Sequence, residues 1–168
     1  MKLLHHLILS SVVVAALFSQ ALLANQLIDP VAACQFLSEQ RFRGSLEYKQ
    51  DKKTGLYSCT SLRRPIDRGE PSISDLRYQV LGTATEARKI RLQLRMNSPR
   101  ISTPVVREFH HYADIIYRKV FAEALPQEIS DAILSSLRGE WRRHGYLVKL
   151  QRIHDKAFVY ELVFSIEK

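Results

Sequence analysis

The chain predicts a single α+β domain, an antiparallel sheet of about five strands with helices packed on one face, in the order α-β-β-β-α-α-β-β. Three observations lead there. The segments DLRYQVLG (75–82) and RKIRLQLRMN (88–97) alternate apolar and polar residues with a period of two, as half-buried antiparallel strands do. From Thr103 to about Ala124 the apolar residues recur with helical spacing instead. Strands and helices come in groups and never alternate singly, which leaves no place for parallel βαβ units.

Residues 1–24, MKLLHHLILSSVVVAALFSQALLA, carry one positive charge at Lys2, an apolar run from Leu7 to Leu23 and small residues near its end. They read as a secretory signal peptide cleaved after Ala24, leaving residues 25–168 as one exported domain. An uncleaved membrane anchor is the alternative reading of the same run, which approaches the length of ~20 apolar residues that spans a bilayer. The whole chain has a formal net charge of +8, so loss of Lys2 leaves a basic protein of +7.

Asp29 and Pro30 mark a helix start, an acidic cap followed by a residue needing no N–H. Ala33, Phe36 and Leu37 give this short helix its apolar face, and it fades by Arg41. Cys34 and Cys59 are the two cysteines of the chain. In an oxidising compartment they have one intramolecular pairing, which closes a loop of about 25 residues and contributes on the order of 3 kcal/mol. The letters Val31-Ala32-Ala33-Cys34 look like a lipidation box, but Asn25-Gln26 and Asp29-Pro30 separate them from the apolar run. The disulfide is therefore the expectation.

Residues 42–55 are polar and hold at most a short strand from Ser45 to Lys49, whereas Leu56 to Leu62 alternate around Cys59 as a strand. Residues 63–75, with two prolines and a glycine, form a long loop. The strands at 75–82 and 88–97 follow, joined by GTATEA as a hairpin. Thr103 and Pro104 open the long helix. Pro126 opens another, in which Ile129, Ile133, Leu137 and Trp141 recur every four residues and His144-Gly145 supply the end, with Gly139 marking a weak point. A final hairpin, YLVKLQRI and AFVYELVFSI about the turn HDK, places Phe158, Tyr160, Leu162, Phe164 and Ile166 on one face.

Catalytic motifs are absent from this sequence: it holds no G-x-S-x-G, P-loop, H-E-x-x-H, C-x-x-C or G-x-G-x-x-G. No catalytic residue, cofactor or metal site is predicted. His110 and His111 are adjacent, and neighbours on a helix point about 100° apart, so they cannot share one ion. His110 and Asp114 have the spacing for a ligand pair, but that spacing also describes a solvated helix face. Glu161, flanked by apolar residues, faces either a covered layer or a basic neighbour such as Lys149.

Charge parity carries the functional content. If Leu76, Tyr78 and Val80 face the core, Arg77, Lys89, Arg91 and Arg95 face outward, and Lys149 joins them from the last hairpin. Gln79, Gln93 and Gln151 share that face, and Arg63, Arg64, Arg68, Arg138, Arg142 and Arg143 lie in neighbouring segments. Val159 and Val163 give it an apolar centre. The expectation is an exported, periplasmic or secreted, non-enzymatic binding protein whose partner is an anionic envelope polymer, an anionic membrane surface or an acidic protein, an immunity or inhibitor role included. Nucleic acid is disfavoured by export and by the lack of aromatic residues between Arg91 and Arg95. A small hydrolase built from non-contiguous residues and an oligomerising assembly accessory are the competing classes.

Overall fold

The computed structural model describes residues 27–66, 74–97, 102–156 and 159–168. The signal segment, Arg68 and Phe158 lie outside the described residues.

Helix α1 (Pro30–Cys34) begins as its sequence dictates: Asp29 Oδ1 accepts from Val31 N–H at 3.0 Å, and Pro30 opens the first turn. A single 3-10 turn follows at Ser38–Gln40. The Cys34–Cys59 disulfide is formed and joins α1 to the second strand. Tyr78 repeats the attachment one strand further in, its hydroxyl donating to Ala33 O at 2.7 Å in the buried interior.

Among the described residues, eight strands form one antiparallel sheet: β1 (Gly44–Gln50), β2 (Tyr57–Ser61), β3 (Arg64–Pro65), β4 (Asp75–Gly82), β5 (Ala87–Met96), β6 (Gly139–Arg143), β7 (Tyr146–Lys156) and β8 (Val159–Glu167). Their spatial order is β1-β2-β4-β5-β8-β7-β6, with the two-residue β3 on β4. The α+β class, the antiparallel sheet and the placing of the last hairpin in it agree with expectation; the count of about five strands does not. β1, β3 and β6 are the additions, and residues 154–156 extend β7 where a turn was expected.

One sheet face is the core. Tyr78 and Leu76 of β4, Leu92 and Leu94 of β5, Leu162 and Phe164 of β8 and Val148 of β7 are buried on it. Each side chain so buried contributes ~1.5–3 kcal/mol. Helix α2 (Thr103–Phe121) lies across this face, burying Val105, Phe109, Tyr112, Ala113, Ile116 and Tyr117 and leaving Arg107, His111 and Arg118 exposed.

Helix α3 (Gln127–Leu134) is much shorter than the run to His144 that its spacing predicts. Ser136 takes a left-handed conformation (φ 53°), Leu137 N–H reaches back to Ala132 O and Ser136 N–H to Ile133 O, both at 2.9 Å. This pair of bonds closes the helix. The chain then turns into β6, and His144 (φ 50°) with Gly145 (φ 82°) form the two-residue turn of the β6–β7 hairpin, not a helix end.

Candidate functional site

The face opposite the helices has no layer above it among the described residues, and register sets its side chains in rows. One row crosses Thr60, Gln79, Arg91, Ser165, Lys149 and Glu140. The next runs through Arg77, Gln93, Val163 and Gln151, and a third through Asp75, Arg95, Glu161 and Ile153. The fourth is Leu81, Lys89, Glu167 and Leu147. All five residues singled out by parity, Arg77, Lys89, Arg91, Arg95 and Lys149, therefore stand on this face.

They are not equivalent. Lys89 Nζ lies 2.8 Å from Glu167 Oε1 and Lys149 Nζ 2.9 Å from Oε2, while Ser165 Oγ donates to Oε1 at 2.9 Å. Burial pushes the Glu167 carboxyl up, but the three donors outweigh it and hold the group at about 2. One carboxylate thus holds both lysines and offsets one of their two positive charges. Arg77, Arg91 and Arg95 have no carboxylate within 4.0 Å among the described residues. Arg91 Nε is shielded from solvent without an acceptor.

Glu161 is bound by Gln93 Nε2, and Lys149, the neighbour expected for it, instead faces Ser165. Glu167 is the site residue that parity reasoning missed. It shares its face with Glu161 and Val163, and the same alternation that placed Lys149 would have found it. Val163 is only 2% exposed and Ser165 1%. With no helix over them, the long side chains of the flanking strands must close over the centre of the face, as arginine and lysine stems do.

The surrounding arginines are mostly committed elsewhere. Arg63 pairs with Asp75 at 2.5 Å. Arg64 Nη1 donates to Glu108 Oε1 at 3.0 Å and Tyr112 Oη at 2.5 Å, with its guanidinium over the Phe42 and Tyr112 rings, clamping β3 to α2. Arg138 Nη2 donates to Arg152 O at 2.9 Å and Arg143 pairs with Glu128.

His110 Nε2 and Ser130 Oγ are hydrogen-bonded at 2.6 Å between α2 and α3. Asp114 accepts from Arg118 Nε at 2.8 Å and from Leu125 N–H at 3.0 Å, so both oxygens hold local structure. No three His, Cys, Asp or Glu residues gather at metal-binding distance among the described residues. A hollow of about 400 Å³ is lined by Ile28, Phe36, Val120, Phe121, Tyr146 and His144, whose Nε2 lies 3.2 Å from Glu123 Oε1. Another, of about 550 Å³, lies over Leu56, Tyr57, Leu81 and Thr83. Neither includes His110 or Ser130.

Fold and face together define an α+β domain with a helix-free sheet surface bearing three arginines that have no ion-pair partner among the described residues. No family model matches the chain, no curated protein is similar to it, and no solved structure matches it. No described helix is long and apolar enough to cross a membrane.

Proposed function

We propose that this is an exported, non-catalytic binding protein that holds an acidic protein segment against its helix-free sheet face. The observation that carries this reading is the trio Arg77, Arg91 and Arg95, which stand on this face with no ion-pair partner among the described residues. An incoming carboxylate supplies what these guanidinium groups lack, and hydrogen bonds involving a charged partner contribute ~1.5–3 kcal/mol each. Among anionic partners, a protein segment suits the mixture best, since the half-buried Leu81 and Leu147 offer apolar contact beside the basic residues. The disulfide is compatible with an oxidising compartment. An inhibitor or immunity role toward an acidic protein is one form of this function.

The test is titration with a glutamate-rich peptide containing aliphatic residues, and in parallel with anionic phospholipid vesicles, at low and high salt. Peptide binding that weakens as the Debye length contracts, and that R91E/R95E abolishes, supports the reading. Peptide binding indifferent to salt and to R91E/R95E would sink it, and binding to vesicles alone would replace the partner class.

A further inference from the structure

The two edges of the sheet differ. β1 is irregular: its register on β2 shifts between Ser45 and Lys49, and such a bulge spoils an edge as a template for pairing. β6 runs in unbroken register along β7, from Gly139 opposite Leu150 to Arg143 opposite Tyr146. The two-residue turn at His144-Gly145 makes Arg143 and Tyr146 a hydrogen-bonded pair, so backbone groups of residues 143, 141 and 139 point to β7. Those of Glu140 and Arg142 point away from the sheet. The Arg142 carbonyl meets only its neighbour, Arg143 Nη1, at 3.1 Å in an exposed bond.

The sequence of this edge, Gly139-Glu140-Trp141-Arg142-Arg143, is complementary to itself when reversed. With Trp141 on a two-fold axis normal to the sheet, an antiparallel copy brings Glu140 opposite Arg142 of the second chain, and Arg142 opposite its Glu140. These are the residues whose backbone groups point outward, so each such pair exchanges two hydrogen bonds. Their side chains lie on one face, are exposed, and have no ion-pair partner among the described residues. Neither makes a direct ion pair with its neighbour on β7: Lys149 opposite Glu140 is bonded to Glu167 and attracts Glu140 only at longer range, and Leu147 lies opposite Arg142. The segment leading into β6 also exposes apolar side chains, Leu134 at 45% and Leu137 at 62%.

We propose that β6 is a homodimerisation edge, at which a second copy of this chain adds antiparallel to form one continuous sheet, with two Glu140–Arg142 ion pairs flanking a Trp141 contact. Because the axis is normal to the sheet, both helical layers lie on one side and the two basic faces on the other.

Sedimentation of the purified protein over a concentration series tests this, with emission of Trp141, the single tryptophan, as a second readout. The wild type should dimerise, with its emission shifting to the red on dilution. E140R and R142E each set like charges opposite one another and should raise the dimer dissociation constant at least about tenfold. An equimolar mixture of the two variants should associate again, because every cross-strand pair is then of opposite sign, and so should the E140R/R142E double variant. A wild type that remains monomeric overturns the proposal. So do single variants that dimerise like the wild type, or a mixture and double variant that both stay monomeric.

Discussion

His110 Nε2 meets Ser130 Oγ at 2.6 Å, a polar bond between the helices α2 and α3. Burial lowers the basicity of His110 and His111 lowers it further, against the opposing pull of Asp114, so its folded value lies below the ordinary 6.5. The unfolded chain therefore takes up this proton first as pH falls. Stability from this group is complete above about pH 6.5 and declines as pH drops through the folded value. Urea melts at about pH 7.5 and about pH 5 should show that decline in the wild type and a shallower one in H110N. Equal slopes would mean that other groups carry the acid sensitivity.

Glu167 behaves in the opposite window. Its carboxyl, near 2 in the fold against an ordinary 4.5, contributes stability above about pH 4.5 that is lost as pH falls toward 2. E167Q should lower stability at neutral pH by about 1–2 kcal/mol and remove this acid limb. It should also free Lys89 and Lys149, so anion binding by the sheet face should tighten in the same variant. A destabilised E167Q with unchanged anion affinity would argue that the lysines are not part of the face's working charge.

Reduction of Cys34–Cys59, or the C34S/C59S variant, should cost on the order of 3 kcal/mol, given a sequence separation of 25 residues. Thermal melts with and without reductant read this directly. A loss under about 1 kcal/mol would show that Tyr78 and the packing of α1 suffice to hold that helix.

Gly139 is occupied in effect by the ring of Trp141: a Cβ there would lie 2.2 Å from Trp141 Cη2. The end of a side chain can swing aside, so G139A should displace the indole at a cost of about 1 kcal/mol. Red-shifted emission with a native circular dichroism spectrum is the expected signature. Unchanged emission would show the ring already mobile.

Elements with a single unambiguous period were legible in the sequence. β4, β5 and α2 bury the faces their patterns specify, and the α1 cap follows from Asp29 and Pro30. The failure at residues 127–143 has a definite cause. Ile129, Ile133, Leu137 and Trp141 are spaced by four, which keeps residues on one helix face and also, as a multiple of two, on one strand face. The helix stops on Ser136 where a glycine would have announced it, and Trp141 belongs to a strand. β1 was read only as a short optional strand at Ser45 to Lys49, inside the observed Gly44–Gln50, because an edge strand has little apolar alternation to show. The basic face was legible by parity residue by residue, but its net charge was not. Lys89 and Lys149 share one glutamate at the far end of the chain, which offsets one of their two charges, and that pairing depends on β8 lying between β5 and β7.

The position of β8 has one more consequence. The last nine-residue strand, Val159–Glu167, occupies the middle of the sheet, between β5 and β7. Without it the remaining strands fall into two unconnected groups, and neither half of the core face can close over α2. Pairing of β8 with β7 is local in sequence, but its pairing with β5 joins segments far apart in the chain, and contacts of that kind slow folding. A chain short of β8 lacks the strand that joins the two halves of the sheet.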